Sequence, residues 1–324
     1  MQAPFEQRRN LAFVFPGQGS QFVGMGKNLA ELSAAAREVF AHADEILQFP
    51  LTRLCFEGPA DELRDTVNAQ PAILTMSVAC LAALREQLGD AAQRVQPRLV
   101  AGHSLGEYSA LVAAGVLDFS TALQLVRERG RLMKETGDRT PGGMAAVIGL
   151  DANLLEDVCR RATEKGVVCP ANYNSPSQTV ISGELAALST AIELAVASGA
   201  QRVIRLAVSI ASHSPVMQKA SEQFTEVINR FRLHDAVIPI VSDISARVLV
   251  SAEEIRAELS RQLYSSVRWT DTVREMLAAD ITTYVEIGPG DVLSTLIKRI
   301  DRRAQTYSIN DASSVLTAAE ILAS

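Results

Sequence analysis

Residues 98–111 read RLVAGHSLGEYSAL: a short apolar run, Arg98–Ala101, then Gly102-His103-Ser104-Leu105-Gly106, then an Ala/Leu-rich stretch. The apolar run bounded by a glycine turn reads as a buried strand, and the Ala/Leu-rich continuation as a helix. The five residues between them fit G-x-S-x-G. In a strand-to-helix turn of this kind the serine sits at a sharp, strained bend with its hydroxyl above the sheet. The flanking glycines are needed because side chains there would clash. The helix that begins just after Ser104 aims free N–H groups and its positive dipole end at an oxyanion developing beside that hydroxyl.

Working outward, Leu11–Phe15 is another strand, ending in the turn Pro16-Gly17-Gln18-Gly19-Ser20. Ile238–Asp243 and Thr283–Ile287 read as further strands, the second leading into Gly288-Pro289-Gly290 and another helix. Short apolar runs alternating with longer amphipathic stretches are the pattern of an α/β protein. The middle of the chain differs. Met144–Ile148 is a strand, Asn153–Glu164 a helix, Val167–Cys169 and Thr179–Ser182 two strands, Leu185–Ala197 a helix and Arg202–Val208 a closing strand. The order β-α-β-β-α-β is that of a ferredoxin-like unit. It predicts a small subdomain, residues 138–209, inserted into a larger α/β body made of residues 1–137 and 210–324.

Composition narrows the function. Hydrophobic residues make up 48% of the 324 and charged residues 21%, which supports a packed core in a soluble protein. A net charge of −6 lacks the basic footprint that nucleic-acid binding uses. Cys55, Cys80, Cys159 and Cys169 show neither C-x-x-C spacing nor histidines at ligand spacing, so they read as reduced thiols and no metal site is expected. The longest uninterrupted apolar run, Ala110–Leu117, is far short of the ~20 residues that cross a bilayer. Arg8-Arg9 is followed by only about five apolar residues before Pro16, too few for an export signal. A cytoplasmic protein without a membrane segment is expected.

A serine hydroxyl needs a base to act as a nucleophile. There are four histidines. His103 adjoins the serine and should point away from its hydroxyl. His42 lies in a polar helical stretch, Ala34–Leu47, and His234 sits beside Arg232 and Asp235 in a surface loop. His213, in Ala211-Ser212-His213-Ser214-Pro215, follows the small subdomain's last strand, where the chain re-enters the body and lines a cleft. By elimination His213 is the base.

One cation is out of place. Ser120–Glu135 reads as a helix, with Thr121 and Gln124 as a capping box and a stripe of Ala122, Leu125, Val126, Leu132 and Met133. Arg129 falls inside that stripe, where a guanidinium costs several kcal/mol unless an anion pairs with it. Its partner is either an internal Asp or Glu or a substrate carboxylate gripped bidentately.

Taken together, FPGQGSQ (15–21), QPA (70–72), GHSLGEYSAL (102–111), Arg129-Gly130, GGMAAVIGL (142–150), SHSPVM (212–217), QLYSSVRW (262–269) and EIGPGDVL (286–293) resemble the malonyl-CoA:acyl carrier protein transacylases, in that family's order and across residues 10–312. The resemblance implies an α/β-hydrolase-like body with a ferredoxin-like insert, and no cofactor. Malonyl-CoA and acyl carrier protein are the implied substrates. Ser104 resembles the nucleophile, His213 the base and Arg129 the clamp for the malonyl carboxylate. The backbone N–H groups of Gln18 and Leu105 would form the oxyanion hole. No acid completes a triad in this family; a backbone carbonyl at Gln262 orients the histidine. Ser212 stands where many malonyl-selective modular polyketide acyltransferases have phenylalanine. Stand-alone bacterial malonyl enzymes and methylmalonyl-selective relatives both use serine there, and Leu105 favours malonyl.

Other readings are a trans-acting acyltransferase of a polyketide assembly line, a hydrolase clearing stalled carrier proteins, and a non-catalytic carrier-docking module. Carrier proteins are acidic, so docking asks for a local basic surface. Lys298 and Arg299, with Arg302 and Arg303, in the helix after Gly288-Pro289-Gly290, are the candidates.

Overall fold

The computed structural model describes residues 10–323; Arg8 and Arg9 lie outside the described residues. In chain order the strands are Leu11–Phe15 (β1), Leu99–Gly102 (β2), Gly142–Ile148 (β3), Val168–Ser175 (β4), Gln178–Glu184 (β5), Arg202–Arg205 (β6), Ile240–Val241 (β7), Val248–Leu249 (β8), Thr283–Ile287 (β9) and Gln305–Ile309 (β10). They make two sheets, ordered β10-β9-β1-β2-β7-β8 and β4-β5-β3-β6.

The larger sheet is parallel except for β8, which pairs antiparallel with β7. Its centre is β1, with Phe13 opposite Val100 of β2 and Val285 of β9. All four residues of β2 are buried, as strands covered by helices on both faces must be. The carboxyl ends of β1 and β2 therefore lie side by side, at the end of the sheet where open α/β folds bind ligands.

The smaller sheet is antiparallel throughout. Ala145, Val147 and Ile181 on one of its faces pack with Leu155 and Val158 of the helix Ala152–Ala162 and Ala191 of the helix Leu185–Ala197. Its strand order is that of the ferredoxin-like unit, and all its strands fall between residues 142 and 205.

The turn between β2 and the helix Gly106–Ala113 has no room for side chains at its glycines. A Cβ on Gly106 would lie 2.0 Å from the carbonyl oxygen of Phe15, and one on Gly102 would lie 2.0 Å from the carbonyl carbon of Gly106. The bend is thus pressed against the end of β1.

The core of the larger body is the helix Thr66–Leu88, which packs against the helices Ala34–Leu47 and Phe119–Arg139. With the short 3₁₀ turn that follows, it is long and apolar enough to cross a membrane, yet most of it is buried inside the protein. No long apolar run marks it in the sequence, because Gln70, Thr75 and Ser77 interrupt it; all three are buried. Pro71 lies within this helix and has no N–H for the carbonyl of Val67. Arg127 supplies the missing donor, its Nη1 reaching Val67 O at 2.8 Å.

Several boundaries differ from expectation. The helix carrying Arg129 runs Phe119–Arg139, and its cap is Asp118, whose carboxylate accepts the Thr121 N–H, rather than a Thr121–Gln124 box. Asp outcompetes Thr here because it sits one residue before the first helical φ. The expected strand Ile238–Asp243 shrinks to Ile240–Val241; Ser242 N–H bonds Arg247 O and the chain turns, carrying Asp243 out of the sheet. β6 ends at Arg205, and β8 and β10 were not anticipated, being short or only half-buried edge strands.

Candidate active site

Ser104 and His213 are two of the five non-glycine described residues with left-handed φ, at 52° and 56°. That conformation costs an L-residue about 1–2 kcal/mol and is held only where surrounding contacts enforce it. At Ser104 the enforcing contacts are the cramped glycines on either side and Asp243, whose Oδ2 accepts the Ser104 N–H at 2.7 Å. The result brings Ser104 Oγ to 2.7 Å from His213 Nε2.

His213 is 4% exposed. Its Nδ1 lies 3.0 Å from Gln262 O and 2.9 Å from Ser265 O. Both neighbours are carbonyl acceptors, so Nδ1 carries the hydrogen and Nε2 offers its lone pair to Ser104. Burial, then the nearby Arg129 cation, push the imidazole down from its ordinary value to about 3. The ring is therefore neutral across the physiological range and competent to accept a proton.

Arg129 is 1% exposed. Its Nη2 donates to Ser104 Oγ and to Gln262 Oε1, both at 3.0 Å, and its Nη1 to Gln70 Oε1 at 2.9 Å. The guanidinium also stands 5.6 Å over the Tyr108 ring. Among the described residues no carboxylate comes within ion-pair distance of it, and its Nε is buried without a partner. Of the two partners open at the sequence level, an internal Asp or Glu in direct contact is thereby removed. Burial lowers its pKa while the charges of Tyr108, Asp243 and Glu107 act the other way, yet a guanidinium keeps its proton in proteins.

The turn of Gln18 lies directly against the elbow: a Cβ on Gly17 would meet His103 O at 2.3 Å. Gln18 Oε1 accepts the Thr66 hydroxyl at 3.0 Å. Leu105 is fully buried next to Ser104. His103 turns away from the hydroxyl, its Nε2 bonding Asn174 Oδ1 at 2.8 Å and its ring packing on Trp269. His42 is near the surface beside Ser120, and His234 is exposed. Lys298 and Arg299 close the helix Val292–Ile300 and border a surface cavity of about 620 Å³ together with Ser177, Arg302 and Thr306. Arg302 and Arg303 lie beyond that helix, and Arg303 pairs with Asp301 rather than facing the cavity.

The profile of the acyl transferase domain family matches residues 12–315. The malonyl CoA-acyl carrier protein transacylase of Bacillus subtilis is 45% identical over 313 residues, covering 96% of this chain and 97% of that protein. This chain belongs to that transacylase family. The malonyl CoA-acyl carrier protein transacylase of Coxiella burnetii superposes with a TM-score of 0.93 at 38% identity, over 98% of this chain and 99% of that one. A malonyl-transacylase solved in complex with a type II PKS acyl-carrier protein gives 0.92 at 41% identity, over 96% of this chain and 99% of that one.

Several groups at the site of this transacylase-family chain carry no signal of their own in the sequence. Gln70 stands inside a short motif, and the Gln262 side chain joins the site beside its carbonyl. Ser265 contributes through its backbone, which no residue type announces. Asp243 was read as the end of a strand, and Glu107 as part of the elbow helix.

Proposed function

We propose that this chain transfers a malonyl group from malonyl-CoA to the phosphopantetheine thiol of an acyl carrier protein through an ester on Ser104. Ser104 Oγ attacks the thioester carbonyl while its proton passes to His213 Nε2. The backbone N–H groups of Gln18 and Leu105 receive the oxyanion; among the described residues neither has another acceptor, whereas the Ser104 N–H is already taken by Asp243. The C–S bond then breaks and the CoA sulfur leaves with the proton from Nε2. In the second half the carrier thiol gives its proton to Nε2 and attacks the malonyl-serine ester, and Ser104 regains its proton as it leaves. The carbonyls of Gln262 and Ser265 hold the ring in the tautomer that both halves require.

The observation that carries this reading is Arg129: a fully buried cation 3.0 Å from Ser104 Oγ without a carboxylate partner. A guanidinium so placed lowers the energy of an acyl group that brings its own carboxylate. A hydrolase of simple acyl groups has no use for it. The chemistry uses side chains and amides alone, so we infer no cofactor and no metal. Fatty-acid biosynthesis in the cytoplasm is the setting this activity fits, and a polyketide carrier would be served by the same steps.

Lys298 and Arg299 are our candidates for docking the acidic carrier protein, since they border a surface cavity with Arg302. The deciding experiment is intact-protein mass after brief mixing with malonyl-CoA or acetyl-CoA. Wild type should gain malonyl, Ser104→Ala should gain nothing, and Arg129→Ala should exchange malonyl for acetyl. A wild type that gains acetyl but not malonyl sinks the reading.

A further inference from the structure

Beneath the elbow lie three carboxyl groups, Glu107, Asp243 and Glu258, all buried and with ligating oxygens within 4.8 Å of one another. The acyl-transfer steps use none of them. Burial first, and then the charges of their neighbours, raise the pKa of Glu107 and Asp243 well above the ordinary range. Carboxyls this close and this dry retain protons among themselves, which leaves the site with oxygen acceptors rather than three negative charges.

One of these oxygens reaches the reacting segment. Asp243 Oδ2 accepts the N–H of Ser104, the residue in the left-handed bend, at 2.7 Å. The Gln262 side-chain amide lies over the same point: its Nε2 is 3.0 Å from Ser104 O, 3.4 Å from Asp243 Oδ2 and 2.5 Å from Glu107 Oε2. The far end of that amide, Oε1, accepts from Arg129. Both backbone polar groups of Ser104 are therefore fixed from below, and the same fixture is tied to the cation that touches Ser104 Oγ. Asp243 lies just past Ile240–Val241, in the turn closed by the Ser242 N–H bond to Arg247 O and the Ala246 N–H bond to Ser242 O, and from there its carboxyl reaches the elbow.

We propose that Asp243 is a positioning residue for the acyl transfer, its carboxyl oxygen holding the Ser104 amide so that the hydroxyl stays aligned with His213 and Arg129. The inference rests on the reading of Ser104 as acyl acceptor. Asp243 touches no reacting atom; it acts through the orientation of Ser104, where a displacement of about 1 Å can cost roughly 10²-fold in rate.

Rapid-quench mass spectrometry across a range of malonyl-CoA concentrations tests this. At saturation Asp243→Ala should form the malonyl-serine about 10²-fold more slowly than wild type, with the half-saturating concentration within about threefold, because the carboxylate grip of Arg129 is untouched. Asp243→Asn keeps an oxygen acceptor for the Ser104 N–H and should return to within about tenfold of wild type. An alanine variant within threefold of wild type, or an asparagine variant as slow as alanine, overturns the assignment. Where the alanine variant does not fold, hydrogen exchange at the Ser104 amide of wild type decides. Exchange at least about 10²-fold below the free-peptide rate supports the bond, and exchange at that rate refutes it. No malonyl adduct on wild type defeats the acyl-serine reading itself; an adduct formed equally fast on Asp243→Ala defeats only the positioning role.

Discussion

At the scale of single residues, the decisive group is His213. Its neutral state at the site comes first from burial and then from the charges of Arg129 and His103, and these carry a pH signature. An unfolded chain takes a proton on this imidazole near pH 6.5, whereas the folded site declines it until about pH 3. As pH falls below 6.5 the unfolded state thus binds a proton that the folded state does not, and this residue withdraws up to about 1.4 kcal/mol of stability per pH unit. As the base of the proposed transfer it should nonetheless keep working: kcat/KM for malonyl-CoA should hold level from pH 8 down through 6. In Arg129→Ala, assayed with acetyl-CoA, the acid limb should move to higher pH because the largest charge opposing protonation is gone. An acid limb centred at 6.5 in wild type would contradict the buried, neutral imidazole. At this scale the sequence was legible where residue type carries chemistry: a serine between glycines, one histidine left by elimination, one arginine in an apolar stripe. Asp243 and Ser265 were not, because what they contribute is a contact to, or from, the backbone.

Among the elements, the bend between β2 and the helix Gly106–Ala113 is the least forgiving. A methyl group on Gly106 meets the Phe15 carbonyl, a rigid part of β1, so the two cannot share the space without prising the helix from the sheet. Gly106→Ala should lower stability by about 3 kcal/mol, read as a shift of the urea midpoint, and should abolish the malonyl adduct even in the fraction that remains folded. A variant of unchanged midpoint would show that the bend yields. Element types were readable from apolar periodicity, and Leu11–Phe15, Leu185–Ala197 and Thr283–Ile287 end where the pattern does. The misread pieces have separate causes. Ile238–Asp243 looked like one strand because side-chain pattern does not report where the hydrogen-bond ladder stops, and the edge strand Gln305–Ile309 alternates too weakly to stand out.

Across the whole molecule, the cavity beside Lys298 and Arg299 spans both sheets: Arg299 Nη1 donates to Gln178 Oε1 at the start of β5, at 2.8 Å. Reversing both charges, Lys298→Glu with Arg299→Glu, should raise KM for the carrier protein about tenfold at low salt and leave malonyl-CoA within about twofold. The difference should shrink as salt screens the field. Equal effects on both substrates would remove the docking role. The insertion of one sheet's strands between those of the other was legible from strand order alone, whereas the cavity was not, since it depends on which faces meet. The short segment after Gln262 ties the two sheets together. Val267 is stitched to the small sheet by its N–H to Ala171 O and by Tyr173 N–H to its own carbonyl, both at 2.8 Å, while Ser104 is carried by the large sheet. Since Ser265, one of the two carbonyls that aim His213, sits in that stitched segment, the serine–histidine bond works as a ruler laid across the seam. A load that parts the two sheets lengthens the proton's path, and the enzyme falls silent with every residue of its site intact.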